Sequence, residues 1–221
     1  MDAVTCLKEV RLKIQNASAK AGRDVDDVNL IAISKSRDAS AILPVLELGH
    51  LHYGENRVQE AASKWPELLN YYPDVVLHFI GPLQSNKVKE AVTVFDVIHT
   101  IDRPKIAKAI AFEMQKQSKL LKFFVQVNTG EEKQKTGISP DDARDFVNMC
   151  RSELRLDVIG LMCIPPVNEE PNVHFEFLAK LARSMNLKKL SMGMSRDFET
   201  AISLGATHLR VGSTIFGTCK Y

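Results

Sequence analysis

The feature that most constrains this chain is a repeated two-part unit. A short apolar or β-branched run ends in a polar or Gly/Pro-containing loop, and a stretch with helical spacing of apolar residues follows. Eight such runs occur, at residues 29–35, 50–56, 76–82, 97–102, 122–128, 157–165, 189–195 and 208–212. Amphipathic stretches such as 58–69, 104–117, 141–151 and 173–184 lie between them. The runs recur about every 25 residues, room for one strand and one helix returning to a parallel sheet. Eight units in so short a chain favour a closed barrel over an open doubly wound sheet. The expected fold is therefore α/β: a single (β/α)8 TIM barrel spanning residues 1–221 as one domain, with no Pro/Gly/Ser-rich linker to divide it. Beyond the loop that closes the eighth run at Thr214 only residues 215–221 remain, too few for a full final helix. Val4, Leu7, Val10, Ile14 and Ala17 stand at helical spacing, so an extra N-terminal helix is expected to cover part of the barrel wall. The working face of such a barrel is at the C-terminal ends of its strands.

Composition removes several classes of function. Lys and Arg number 29 against 27 Asp and Glu, a net charge of +2, so electrostatics make no case for nucleic acid or an anionic membrane as partner. Cys6, Cys150, Cys163 and Cys219 form no C-x-x-C pair, which argues against a disulfide framework or zinc knuckle. Charges at Asp2, Lys8, Glu9, Arg11 and Lys13 interrupt any signal-peptide core, and no run is apolar and long enough to span a bilayer. A soluble, reduced, cytoplasmic protein is expected. His50-Leu-His52 has the spacing of a barrel metal site, but it opens the second strand, at the wrong end, and no ligand set accompanies it; no metal is expected. His78, His99 and His208 read as hydrogen-bonded strand or barrel-bottom residues, and Cys163 as core. The charged loop 131–135 reads as solvated surface or as a flap over the mouth, and residues 85–89 as a helix start or a weak anion site.

Two strand ends carry chemistry. Lys35 closes the first run and by alternation shares a side with Ile31 and Ile33. A lysine on so apolar a run either reaches water or stays buried with a depressed pKa, which would make it a Schiff-base nucleophile. After the seventh run come Ser195, Arg196 and Asp197, and after the eighth Arg210-Val-Gly-Ser-Thr214. Barrels often bind phosphate at these two loops. Gly212 permits close backbone approach, while Ser195, Ser213 and Thr214 supply hydroxyls; the alternative is a pair of plain turns. An amine facing a phosphate cradle across the barrel mouth suits either a sugar phosphate in an aldolase-type lyase or pyridoxal 5′-phosphate (PLP).

The segments taken together resemble the pyridoxal phosphate homeostasis family, single-domain PLP-binding barrels related in fold to the barrel half of alanine racemase. The likeness rests on Ile33-Ser-Lys35, Gly54-Glu-Asn-Arg-Val-Gln-Glu60, the stretch from His78 to Lys87, Val127-Asn128 with Glu132, Lys135 and Gly137, Gly160-Leu-Met162 with Ile164-Pro-Pro166, Leu190 to Ser195 with Asp197, and Arg210 to Gly217. These run in order from the first strand to the last. The family usually has proline a few residues after the lysine, where this chain has Arg37-Asp38. The resemblance implies that Lys35 holds PLP as a reversible Schiff base. Ser195, Gly212, Ser213 and Thr214 would bind its phosphate, Arg210 would point at the pyridine nitrogen, and Asn56, Ile80 and Met192 would line the ring pocket. It also implies a role in vitamin B6 homeostasis, with PLP-dependent apoenzymes as recipients; the expected state is a monomer.

An always-charged arginine disfavours protonation of the pyridine nitrogen and so weakens the electron sink that amino-acid chemistry needs. Racemisation needs an acid/base group on each face of the ring. In two-domain racemases one of these is a tyrosine of a second domain; here the tyrosines are Tyr53, Tyr71, Tyr72 and Tyr221, and no segment is expected to form that domain. A binding protein without robust turnover is therefore expected, the alternative being a PLP racemase or a class I aldolase-like lyase.

Overall fold

The computed structural model describes residues 2–132 and 134–217. Eight parallel strands close into a barrel in chain order: β1 (Asn29–Ile33), β2 (His52–Glu55), β3 (Val76–Phe79), β4 (Val97–Ile101), β5 (Lys122–Gln126), β6 (Asp157–Met162), β7 (Lys189–Met194) and β8 (His208–Val211). The helices are α1 (Ala3–Lys20), α2 (Ala39–Glu47), α3 (Val58–Tyr71), α4 (Val88–Val94), α5 (Pro104–Gln117), α6 (Ala143–Asn148), α7 (Pro171–Ser184), α8 (Phe198–Ser203) and α9 (Ser213–Phe216). The expected (β/α)8 TIM barrel is thus the observed fold. The strands are shorter than the runs that announce them, and two boundaries differ in kind. The strand anticipated at 50–56 contracts to β2, leaving His50 before it, and α6 passes into a π-helical turn, Met149–Glu153. The helix α2 carries Pro44 inside it, which hides it from a reading by helical periodicity.

Closure rests on β1 pairing with β8, with Asn29 opposite His208, Ile31 opposite Arg210 and Ala32 opposite Val211. At four residues α9 is too short to cover this seam. The N-terminal helix does so: α1 packs on α8, α9 and α2 through its buried stripe Leu7, Val10, Ile14 and Ala17. Its start is capped by the Asp2 carboxylate, which accepts the Thr5 N–H at 2.9 Å.

Outward-facing strand residues such as Ala32, Leu77, Phe123 and Leu209 meet Ile42, Trp65, Ile106 and Phe175 of the helices to form the main core. The barrel interior is filled differently from the branched aliphatic layers usual in this architecture. His78, His99 and His208 are buried inside it, as expected, together with Phe124. His99 stacks on Phe124 with ring centroids 4.4 Å apart, and His208 meets the same ring edge-on at 4.9 Å. Burial drives these imidazoles to the neutral form. His78 and His99 lie well below the ordinary histidine range, chiefly through desolvation, and His208 is pushed down to about 3 for the same reason. His50, beneath the barrel, is likewise lowered to about 3, first by burial and then by Arg11.

In the unfolded chain these imidazoles protonate near pH 6.5, whereas the folded ones stay neutral far below it. Stability should be flat above about pH 6.5 and fall as pH drops below it, by on the order of 2 kcal/mol per such histidine at about pH 5. Urea denaturation at the two pH values measures this. Equal midpoints would contradict burial of the neutral rings.

Candidate functional site

Lys35 lies in the turn immediately beyond β1, half-buried. The turn is pinned from outside the barrel by β2 and α3. Glu55, wholly buried on the outer face of β2, accepts Ser34 Oγ at 2.6 Å and Trp65 Nε1 at 3.1 Å on one oxygen, Oε1. The Lys64 ammonium stands 2.7 Å from that same oxygen and donates to the carbonyls of Ser34 at 2.9 Å and Arg37 at 3.0 Å. Ser36 adopts the left-handed conformation at φ 56°, a costly state for a non-glycine residue, and its N–H is held by Glu60 Oε1 at 2.5 Å. The backbone on both sides of Lys35 is therefore fixed before any ligand arrives. Arg37 Nη2 donates to the Gly217 carbonyl at 2.5 Å, tying this turn to the end of α9.

The second wall comes from β7, β8 and α9. Arg210 is buried inside the barrel, its Nη1 donating to Ser191 Oγ at 2.6 Å and its Nη2 to the Cys163 carbonyl at 2.9 Å. Its pKa is lowered by burial, against raising influences from Cys163 and Asp197, and it makes no ion pair among the described residues. Cys163 is buried, as expected, and burial pushes its thiol up to about 12. Beyond Arg210 a Cβ on Gly212 would stand 3.0 Å from the Cβ of Ile33, so the β1 and β8 ends touch at that point. Ser213 Oγ donates to Ser195 Oγ at 3.1 Å, bringing the hydroxyls after β7 and β8 together. The first internal bond of α9 runs from Ile215 N–H to the Gly212 carbonyl, so the Ser213 and Thr214 N–H groups precede it.

Asn56 and Ile80 follow β2 and β3, half-buried, with the Ile80 N–H on the Glu55 carbonyl at 2.9 Å. Gly81 allows these two ends to meet, since a Cβ there would lie 2.1 Å from the Asn56 carbonyl oxygen. Met192 is wholly buried in the main hydrophobic core, while Met194, opposite Arg210, is half-buried at the strand end.

One expectation needs correction. The phosphate cradle was expected across the mouth from Lys35, but pairing of β1 with β8 puts the two on neighbouring strands. The clamp of Glu55, Glu60 and Lys64 escaped sequence reading. Its signal was the Gly54–Glu60 motif, with two carboxylates flanking a strand-to-helix turn. The loop 131–135, of which Lys133 lies outside the described residues, is tied to β5: Asn128 Nδ2 donates to the Glu132 carbonyl at 2.9 Å, and Val127 bridges Ile138. Residues 85–89 form a helix entrance, as expected. Cys219 and Tyr221 lie outside the described residues.

The arrangement is a barrel rim on which the lysine turn, its backbone held from outside, lies beside the serine and threonine turn, with the buried Arg210 guanidinium on β8. Residues 6–220 match the family model described as alanine racemase, N-terminal domain, which defines the class. A pyridoxal phosphate homeostasis protein of Vibrio alginolyticus is 36% identical over 97% of each chain, and that of Aquifex aeolicus is 36% identical over the full length of both. Among solved structures, PipY of Synechococcus elongatus with PLP bound is 33% identical, with a TM-score of 0.79 over 93% of this chain and 100% of that one. An alanine racemase of Clostridium difficile shares the fold alone, at 11% identity and a TM-score of 0.70, and this chain covers 56% of it. The chain belongs to the pyridoxal phosphate homeostasis protein family.

Removing one member of a buried ion pair strands the other. Lys64→Met should cost about 3–5 kcal/mol in urea denaturation and loosen the Lys35 turn. Adding Glu55→Gln should restore part of that loss. A single variant as stable as the parent would show that the clamp contributes little.

Proposed function

We propose that this protein binds PLP at the barrel mouth and serves PLP homeostasis as a binder without robust amino-acid turnover. The observation that carries the reading is the pairing of β1 with β8, which sets Lys35 next to the loop of Gly212, Ser213 and Thr214, above the buried Arg210. PLP brings an aldehyde that condenses reversibly with a primary amine. Lys35 supplies the amine. Ser195, Ser213 and Thr214, with the N–H groups at the start of α9, suit a phosphate dianion, and Gly212 keeps that wall free of a side chain. Arg210 would face the pyridine nitrogen and Asn56 and Ile80 would border the ring, while Met192, buried in the main core, would back that wall from behind. The PLP-bound PipY structure supports the same ligand here.

The placement of the described tyrosines supports binding over turnover. Tyr53 is buried in the barrel wall against Trp65, ring centroids 4.9 Å apart, and its phenol is pushed up by burial. Tyr71 and Tyr72 end α3, at the opposite end of the barrel from the mouth. The reading extends to a monomeric, one-domain protein working in the cytoplasm and handing PLP to apoenzymes. No described helix is long and apolar enough to cross a membrane.

Purified protein mixed with PLP should show a visible absorbance band that Lys35→Ala abolishes. Turnover of L- or D-alanine above about 1 s⁻¹ would instead make it an enzyme. A colourless protein trapped by borohydride on a sugar phosphate would make it a lyase.

A further inference from the structure

The histidines that fill the barrel are joined end to end. His52 Nδ1 lies 3.0 Å from His78 Nε2, His78 Nδ1 2.9 Å from His99 Nε2, and His99 Nδ1 2.8 Å from Ser191 Oγ. Ser191 Oγ in turn accepts from Arg210 Nη1. At the other end His52 is half-buried and borders a cavity of about 580 Å³ beneath the barrel, shared with Lys8, Arg11 and His50. An unbroken line of hydrogen bonds therefore crosses the interior from its lower opening to the arginine under the mouth.

The line has a single consistent direction. A guanidinium only donates, so Ser191 Oγ accepts from Arg210. Ser191 is fully buried, and among the described residues its own hydroxyl proton has one acceptor in reach, His99 Nδ1. The reverse arrangement would leave that proton buried without a partner, at a real energetic cost. With Nδ1 of His99 accepting, its Nε2–H donates to His78, and His78 Nε2–H donates to His52. All three rings then take the same neutral tautomer.

We propose that His52, His78, His99 and Ser191 form one directional hydrogen-bonded strut whose task is to position Arg210 for the ligand at the mouth. They are positioning residues. Ser191 is the joint, because among the described residues it is the one hydrogen-bonded to both the arginine and the imidazole line. A chain of this kind polarises along its length, so a change at one end is felt at the other. The role at the mouth rests on the PLP reading above; the strut itself does not.

The test uses the ¹⁵N-labelled protein without PLP, with long-range ¹H–¹⁵N correlations reporting each imidazole tautomer. Wild-type His52, His78 and His99 should all be Nε2–H. A ring of the opposite tautomer or a charged one would break the strut and overturn the proposal. Ser191→Ala should disturb the pattern as far as His52, two rings away, whereas Ser191→Thr, which keeps the hydroxyl, should preserve it. An undisturbed His52 in folded Ser191→Ala overturns the proposal. Should the alanine variant not fold, as a thermal melt would reveal, Ser191→Val, the isostere of the threonine variant without its hydroxyl, is read in the same way. PLP affinity by equilibrium dialysis should fall about tenfold in Ser191→Ala. Unchanged affinity with shifted tautomers would refute the link to Arg210. A wild-type protein that binds no PLP would sink the reading of the mouth and leave the tautomer result to judge the strut alone.

Discussion

Everything at the mouth depends on the hydrogen bonding of the first strand to the last. A parallel sheet of eight strands can remain open, with β1 and β8 at its two edges. Closure brings Ile31 opposite Arg210 and presses Gly212 against Ile33. Residues about 180 positions apart in sequence thereby become neighbours, and a lysine turn and a serine/threonine turn come side by side on the barrel rim. The final helix is a stub, so the seam where closure occurs has to be covered by the N-terminal helix. The extra helix and the closed site are two consequences of the same topology.

Two supports hold this rim, and they lie on opposite faces of the sheet. Outside, Glu55 pairs with Lys64 through Oε1, and Lys64 donates to the carbonyls of Ser34 and Arg37, which helps the strained Ser36 to persist beside Lys35. Inside, Arg210 is held by Ser191 and the Cys163 carbonyl, and a line of imidazoles continues below it. A buried guanidinium without a carboxylate partner needs neutral acceptors around it, and a serine oxygen and a main-chain carbonyl provide them. Charged histidines next to that cation would oppose it, which accords with the neutral state that burial imposes on them.

Much of this was readable beforehand. The helix at Pro104–Gln117 follows from apolar periodicity with proline at its first turn, and α1 from the spacing of Leu7, Val10 and Ile14. Lys35, Arg210 and the loop of Ser213 and Thr214 were legible as strand-end residues, because the C-terminal rim of a barrel is where function collects. The helix α2 was not, since Pro44 interrupts its pattern while tertiary packing of Ile42, Val45 and Leu46 keeps it helical. The clamp was not either. Glu60 and Lys64 look like an ordinary exposed i,i+4 pair on a helix, and only packing of α3 over the β1 turn turns them inward.

The order of strands and helices, the candidate amine and the family were determined by the sequence alone, because local periodicity and strand-end chemistry are written in short runs of residues. The tertiary structure decided which rim residues are neighbours, how the Lys35 turn is held and how the interior histidines connect. Those are relations across tens to hundreds of positions. They arise from sheet closure and from the need of every buried donor to find an acceptor, and no short stretch of chain encodes either.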